Sequence, residues 1–320
     1  MRHAPALATL ALAIAAALPF FIGDAYIYTL GLTICVFAVL ATGLNLVYGF
    51  GGLLSLAQVA FFGIGGYGTA ILVVDRGWPM GFALIAAGLF ATVAGLIVAY
   101  ASLRLSRHAF AIVSLVLSLL CLIVARDWVS LTRGPMGMPG LPSPTITVPG
   151  LAPWQLDGPR DFYILLLAYA VAVLLLLYRV MRCRIGRTLL AIRQNEPLAQ
   201  SMGQNPLAYR LFAIGLSAWV TGMAGGIFVF HLTIVDPSIF DFYYLETMLI
   251  MVVVGGPGSF WGVLGAAVFF SAIPDLLRFS ADLRLVLYGL VLIGAVLAMP
   301  GGVAGLVRRR RLRRWREVRR

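Results

Sequence analysis

Long apolar runs alternate with short polar breaks along the whole chain. Runs near 6–22, 26–48, 80–102, 109–125, 162–178, 211–231 and 283–299 each approach the roughly 20 residues that a helix needs to cross a bilayer. Two further apolar regions, 57–74 and 243–273, are interrupted by glycine. The second is long enough for two spans turning at GGPGSFWG or for a re-entrant hairpin. The pattern predicts an all-α, polytopic transmembrane protein of about ten spans, eight to ten, with broken or re-entrant Gly-rich segments.

Composition sharpens this picture. With 61% hydrophobic and 11% charged residues, the chain carries more apolar surface than a 320-residue soluble domain can hide. All 24 basic residues are arginine, and nine of them fall in 308–320. This tail, 307–320, reads as the cytoplasmic end of a last span held near anionic lipid rather than as a nucleic-acid arm. The opening MRHAPALATLALAIAAALPFFIG resembles a signal peptide but lacks a small-x-small cleavage site, so it reads as an uncleaved first helix. Cys35, Cys121 and Cys183 are odd in number and widely spaced, which predicts neither a disulfide nor a metal site.

Ten spans counted from a cytoplasmic N-terminus place 18 arginines inside and six outside, the asymmetry expected of an inner-membrane protein with both termini cytoplasmic. The segment TRGPMGMPGLPSPTITVPGLAPW within 127–161 is then external. Asp24, Asp75, Asp236, Asp241, Glu246 and Asp275 fall at span ends or in loops, and no charge falls within a span interior, where ion-coupled carriers keep one. A chain without lysine has no GxxxxGK[ST] loop, so any energy from ATP must come through a partner, and no cofactor is expected on this chain. His231 and Trp78, Trp154, Trp219 and Trp261 read as interface or packing residues.

The stretch RTLLAIRQNEPLAQSMG, within 182–210, is polar where its flanks are apolar. Asn195 suits the N-cap of a helix opening with Glu196 and Pro197, and Gly203 suits the left-handed position that ends it. Upstream, Thr188 to Gln194 suit a short helix with Leu189 and Ile192 on one face, giving a folded cytoplasmic knob. A solvated linker obeying the positive-inside rule is the plainer alternative. A second block, GFGGLLSLAQVAFFGIGGYG, is consistent with tight helix packing by small residues. It is equally consistent with a broken helix whose free backbone groups meet a zwitterion.

These blocks, with IVSLVLSLLCLIVARDWVSLTRGPMGMPGLP and LIMVVVGGPGSFWGVLGAAV, resemble the permease subunits of ATP-binding-cassette importers for branched-chain amino acids. The resemblance covers roughly 30–306, and a permease domain over 1–306 is the corresponding division of the chain. It implies two ATPase subunits, a second related permease, a periplasmic or extracellular solute-binding protein, and inward transport by alternating access. It also implies a coupling loop of Gly186, Leu189, Ala191, Ile192, Arg193, Asn195, Glu196, Leu198 and Gly203. There Leu189, Ile192 and Leu198 would supply contact area to the ATPase, and Arg193 with Glu196 would fix orientation. Candidate pathway residues are Asn45, Ser55, Gln58, Phe61, Gly63, Gly65 and Glu246, the last foremost a carboxylate stabilised at a helix start. Leu53 and Ala57 stand where the family commonly has a polar residue and glycine, which bears on solute more than on fold. Rival readings are a urea or amide permease, an ion-coupled carrier, and a membrane scaffold.

The arginine asymmetry makes a direct prediction. In a cysteine-free background, Gln194→Cys and Val318→Cys are labelled by an impermeant maleimide from the cytoplasmic side alone and Thr145→Cys from the outside alone; inverted labelling of Thr145→Cys overturns the orientation.

Overall fold

The computed structural model describes residues 25–103, 107–142, 145–146, 154–155 and 158–277, together with positions 290, 294, 302 and 305. The predicted spans 6–22 and 283–299 and the arginine tail lie outside the described residues. Within them run α1 (Ala25–Leu44), α2 (Gln58–Val74), α3 (Met80–Leu103), α4 (Arg107–Asp127), α5 (Val129–Thr132) and α6 (Pro159–Arg182). Then follow α7 (Arg184–Gln194), α8 (Glu196–Ser201), α9 (Pro206–Leu232), α10 (Phe242–Gly255) and α11 (Phe260–Leu277). Six helical stretches are long and apolar enough to cross a membrane, and Gln58–Val74 and Phe260–Ala272 are shorter apolar helices.

The all-α expectation holds for these segments, with two small additions on the side away from the knob. Two-residue strands β1 (Met138–Pro139) and β4 (Ile234–Val235) pair antiparallel, as do β2 (Thr145–Ile146) and β3 (Trp154–Gln155). Such pairings are too short to show a period of two and were not legible in the Gly/Pro-rich sequence. The region 243–273 turns at Gly256 to Ser259, between α10 and α11.

Helices sort by what their surfaces bury. The column formed by α1 and its continuation has 83% of its apolar window buried, whereas α4 has 22%, so α1 is central and α4 is peripheral. On α3, Phe82, Ile85, Leu89, Phe90, Val93, Ile97 and Tyr100 face outward, while Ala83, Ala87, Ala91 and Ala99 are fully buried. Lipid solvates large apolar side chains as well as a protein core does, so small residues are the ones that gain by facing a neighbour. The α3 stripe accordingly packs on α9, with Gly88 against Trp219 and Met223. From α6, the Tyr169 hydroxyl reaches α9 and donates to the Val220 carbonyl.

A close backbone approach joins α2 to α9. A methyl group on Gly65 would overlap the Gly222 backbone, and one on Gly225 would overlap the Phe62 carbonyl. Both obstacles are main chain and cannot rotate away. Gly65→Val is therefore expected to cost about 3 kcal/mol and to lower the thermal midpoint of the detergent-solubilised protein. Gly81→Ala, where nothing lies within 4 Å of the added carbon, is the control and leaves the midpoint unchanged.

Candidate functional site

The first part of the site is the broken entry to α2. After Leu44 the α1 column continues as a π-helix over Asn45–Phe50. The chain then runs through residues 52–57 without helical structure before α2 begins at Gln58. Alternate residues of this stretch are buried: Leu53 is 0% exposed, Ser55 1% and Ala57 2%. Unpaired backbone groups there would cost several kcal/mol in hydrocarbon, and α4 supplies partners. Ser114 Oγ accepts from the Leu56 N–H at 2.9 Å, and Ser118 Oγ donates to the Leu56 carbonyl at 2.8 Å. These serines lie one turn apart, so both polar groups of one residue are met by one helix face. Their spacing in the sequence carried this signal, and the sequence reading passed over it.

Packing and unwinding thus both occur in the glycine block. Gly65 serves close helix contact, and Gly63 lies beneath the Phe240 ring. Phe61 is 2% exposed and packs beside Gly95. Leu53 and Ala57, the two departures from the family pattern, join Val47, Phe61, Ala91, Phe110, Ile214 and Ala218 in a second apolar cluster. Gln58 is fully buried and internally bound: its Nε2 donates to Thr221 Oγ1 at 2.6 Å and to Ser217 Oγ at 3.0 Å on α9. Asn45, also fully buried, accepts at Oδ1 from the Gly258 N–H at 2.9 Å and donates to the Ser259 carbonyl at 3.4 Å. Both amides therefore latch the broken segment to neighbouring elements. The Ser55 hydroxyl and Glu246 Oε2 are buried with no hydrogen-bond partner among the described residues. Beside Glu246 on α10, Tyr244 packs with Phe37, Phe62 and Phe228. The described residues hold no cluster of His, Cys, Asp and Glu fit for a metal ion.

The second part is the knob, α7 and α8. Its local structure follows the sequence closely. The Asn195 side chain accepts from the Leu198 N–H at 3.1 Å, with Pro197 in the first turn of α8. Gly203, at φ +76°, closes the helix while the Gln204 N–H bonds to the Ala199 carbonyl at 3.1 Å, the pattern of a left-handed C-terminal cap. Helix α7 begins at Arg184, four residues earlier than the predicted Thr188, because Gly186 lets the turn after α6 fold against the Met181 backbone. Asn205 caps α9 by accepting from the Leu207 and Ala208 N–H groups.

Side-chain directions differ from the expectation. Leu189 and Ile192 are 0% exposed and lie inside the protein, so of the three expected contact residues only Leu198, 60% exposed, is offered outward. Glu196 is taken up internally, gripping Arg210 of α9 through both carboxylate oxygens at 2.9 and 2.8 Å. Arg193 turns back toward Gly49 and Pro257. What remains open is a groove of about 490 Å³ whose lining includes Arg187, Thr188, Ala191, Gln194, Leu198 and Met202.

A family described as the branched-chain amino acid transport system permease component matches residues 26–296. The chain belongs to this family. The permease is also similar to the high-affinity branched-chain amino acid transport system permease protein LivM of Escherichia coli (strain K12). They are 29% identical over 315 residues, covering 93% of this chain and 74% of that protein. LivM of Salmonella typhimurium (strain LT2) matches with the same identity and coverage. No solved structure matches the chain.

The Arg210 side chain is 7% exposed and that of Glu196 26%, so removing the carboxylate strands a nearly buried guanidinium. Glu196→Ala is expected to destabilise the permease by about 3 kcal/mol, read as a lowered thermal midpoint. The double variant Glu196→Ala with Arg210→Met recovers much of the loss; an unchanged midpoint in Glu196→Ala shows the pair to be inert.

Proposed function

We propose that this permease is the membrane subunit of an ATP-binding-cassette importer and moves branched-chain or similar hydrophobic amino acids inward by alternating access. The observation that carries the reading is the knob. Two short helices are capped, turned by a left-handed glycine and fastened to α9 by a bidentate ion pair. A loop that merely joined two spans would need none of this. The knob is the coupling element, and an ATPase subunit docks in its groove, with Leu198 and Met202 as apolar anchors and Arg184 and Arg187 at the rim. Exposed at 60% and 75%, those two apolar side chains are the kind that a partner buries.

In this reading the knob side is cytoplasmic. Two ATPase subunits, a second related permease and an external solute-binding protein complete the machine, and ATP is bound by the partners. Adding the two predicted spans beyond the described residues to the described helices gives about ten spans. The LivM relatives, named as permease proteins of high-affinity branched-chain amino acid transport systems, support the choice of solute. The buried broken segment is the pathway wall: Asn45 and Gln58 hold it in place, while Ser55 and Glu246 keep polar atoms free for a zwitterion.

Reconstitution with the ATPase subunits and binding protein tests this. Leucine uptake survives a proton ionophore and stops without ATP. Leu198→Asp with Met202→Asp inserts normally but weakens ATPase association about tenfold or more, the scale of losing apolar anchors. Uptake that follows the proton gradient, or wild-type association in the double variant, overturns the corresponding half of the reading.

A further inference from the structure

Arg193 belongs to the last turn of α7, yet its side chain leaves the knob. Its Nη1 donates to the Gly49 carbonyl in the π-helix and, at 3.5 Å, to the Pro257 carbonyl in the α10–α11 turn. The aliphatic stem passes beneath Gly52, where a methyl group would lie 2.8 Å from Arg193 Cγ. One side chain therefore touches the end of the α1 column, the start of the unwound segment and the hairpin turn.

Electrostatics favours a cation at this spot. Gly49 lies in the last turn of the α1 column, and Pro257 lies two residues beyond the end of α10 at Gly255. Both carbonyls sit at the negative poles of helices, and Arg193 occupies the last turn of a third. Its acceptors are main-chain atoms, so the contact reports backbone position directly. Asn45 completes the junction from within, because it holds Gly258 and Ser259 while standing one helical turn before Gly49. A shift of the knob must then carry the π-turn and the hairpin turn with it or break the contact. The Glu196–Arg210 pair, by contrast, fastens the knob to α9.

We propose that Arg193 is a positioning residue that transmits movement of the knob to the broken helix, setting the conformation of residues 49–57 in step with the ATPase. The proposal rests on the reading above that an ATPase docks on the knob. It assigns Arg193 to the inside of the coupling path rather than to the docking face.

A nitroxide on Leu54→Cys, a 36% exposed position in the unwound segment, reports the mobility of that segment in a background without native cysteines. In the reconstituted transporter with Arg193 intact, the line shape is expected to change when a non-hydrolysable ATP analogue binds. Arg193→Met is expected to co-purify with the ATPase at the unsubstituted ratio, to lose the nucleotide-dependent change, and to take up solute about tenfold more slowly, the size of a typical coupling term. Arg193→Lys, which keeps the charge, restores the line-shape response in part. Should Arg193→Met insert poorly, Arg193→Leu gives the same comparison, again with the charge and the donors removed. Retention of the nucleotide response and of uptake in the Met or Leu variant overturns the proposal. Failure of the ATPase to associate even with Arg193 intact instead overturns the docking reading, and the proposal with it.

Discussion

A main-chain N–H or C=O in hydrocarbon has no water to turn to, and this fold is arranged around one stretch that breaks the helical solution. Residues 52–57 abandon helical bonding while Leu53, Ser55 and Ala57 remain buried. Ser114 and Ser118 therefore stand on the interior face of a helix whose other face is bare Ile, Val and Leu. Gln58 ties the next residue to α9, and Asn45 ties the preceding turn to the α10–α11 hairpin. The side chains that bind this segment, Asn45, Gln58, Ser114 and Ser118, are neutral, as suits groups whose task is to satisfy other dipoles at little desolvation cost.

The rest of the packing follows from lipid as solvent. Small residues on α2, α3 and α9 draw the helices close enough that backbone meets backbone, as at Gly65 and Gly222. Most of the bulky apolar side chains of α3 and α4 point outward. Association by shape rather than by water exclusion makes those contacts intolerant of an added methyl group, while the lipid-facing surface accepts wide variation.

Much of this was legible in the residues. Apolar runs located the described spans to within a few residues, since a hydrophobic stretch is long and its boundaries are marked by polar breaks. The knob was readable to its caps, because Asn195, Pro197 and Gly203 each act on the backbone next to them. Side-chain destinations were not readable. Leu189 and Ile192 on one face were evidence of an apolar stripe, and a stripe looks the same whether the protein's own core or a partner covers it. Arg193 to Gly49 and Glu196 to Arg210 join residues far apart in the chain or across a turn, and pairings of that kind depend on how helices cross.

The unwound segment also has a metric consequence. An extended residue advances about 3.3 Å and a helical one about 1.5 Å, so each residue that changes between these states alters the chain's reach by about 1.8 Å. Helix α2 has 17 residues and by itself is about 25 Å long, short of the roughly 30 Å hydrocarbon thickness. Its non-helical lead-in adds to that reach. The segment is thus a length of slack within the bundle: winding even three of its residues into α2 would draw its free end inward by up to about 5 Å, a displacement the size of a small solute, with no helix needing to tilt.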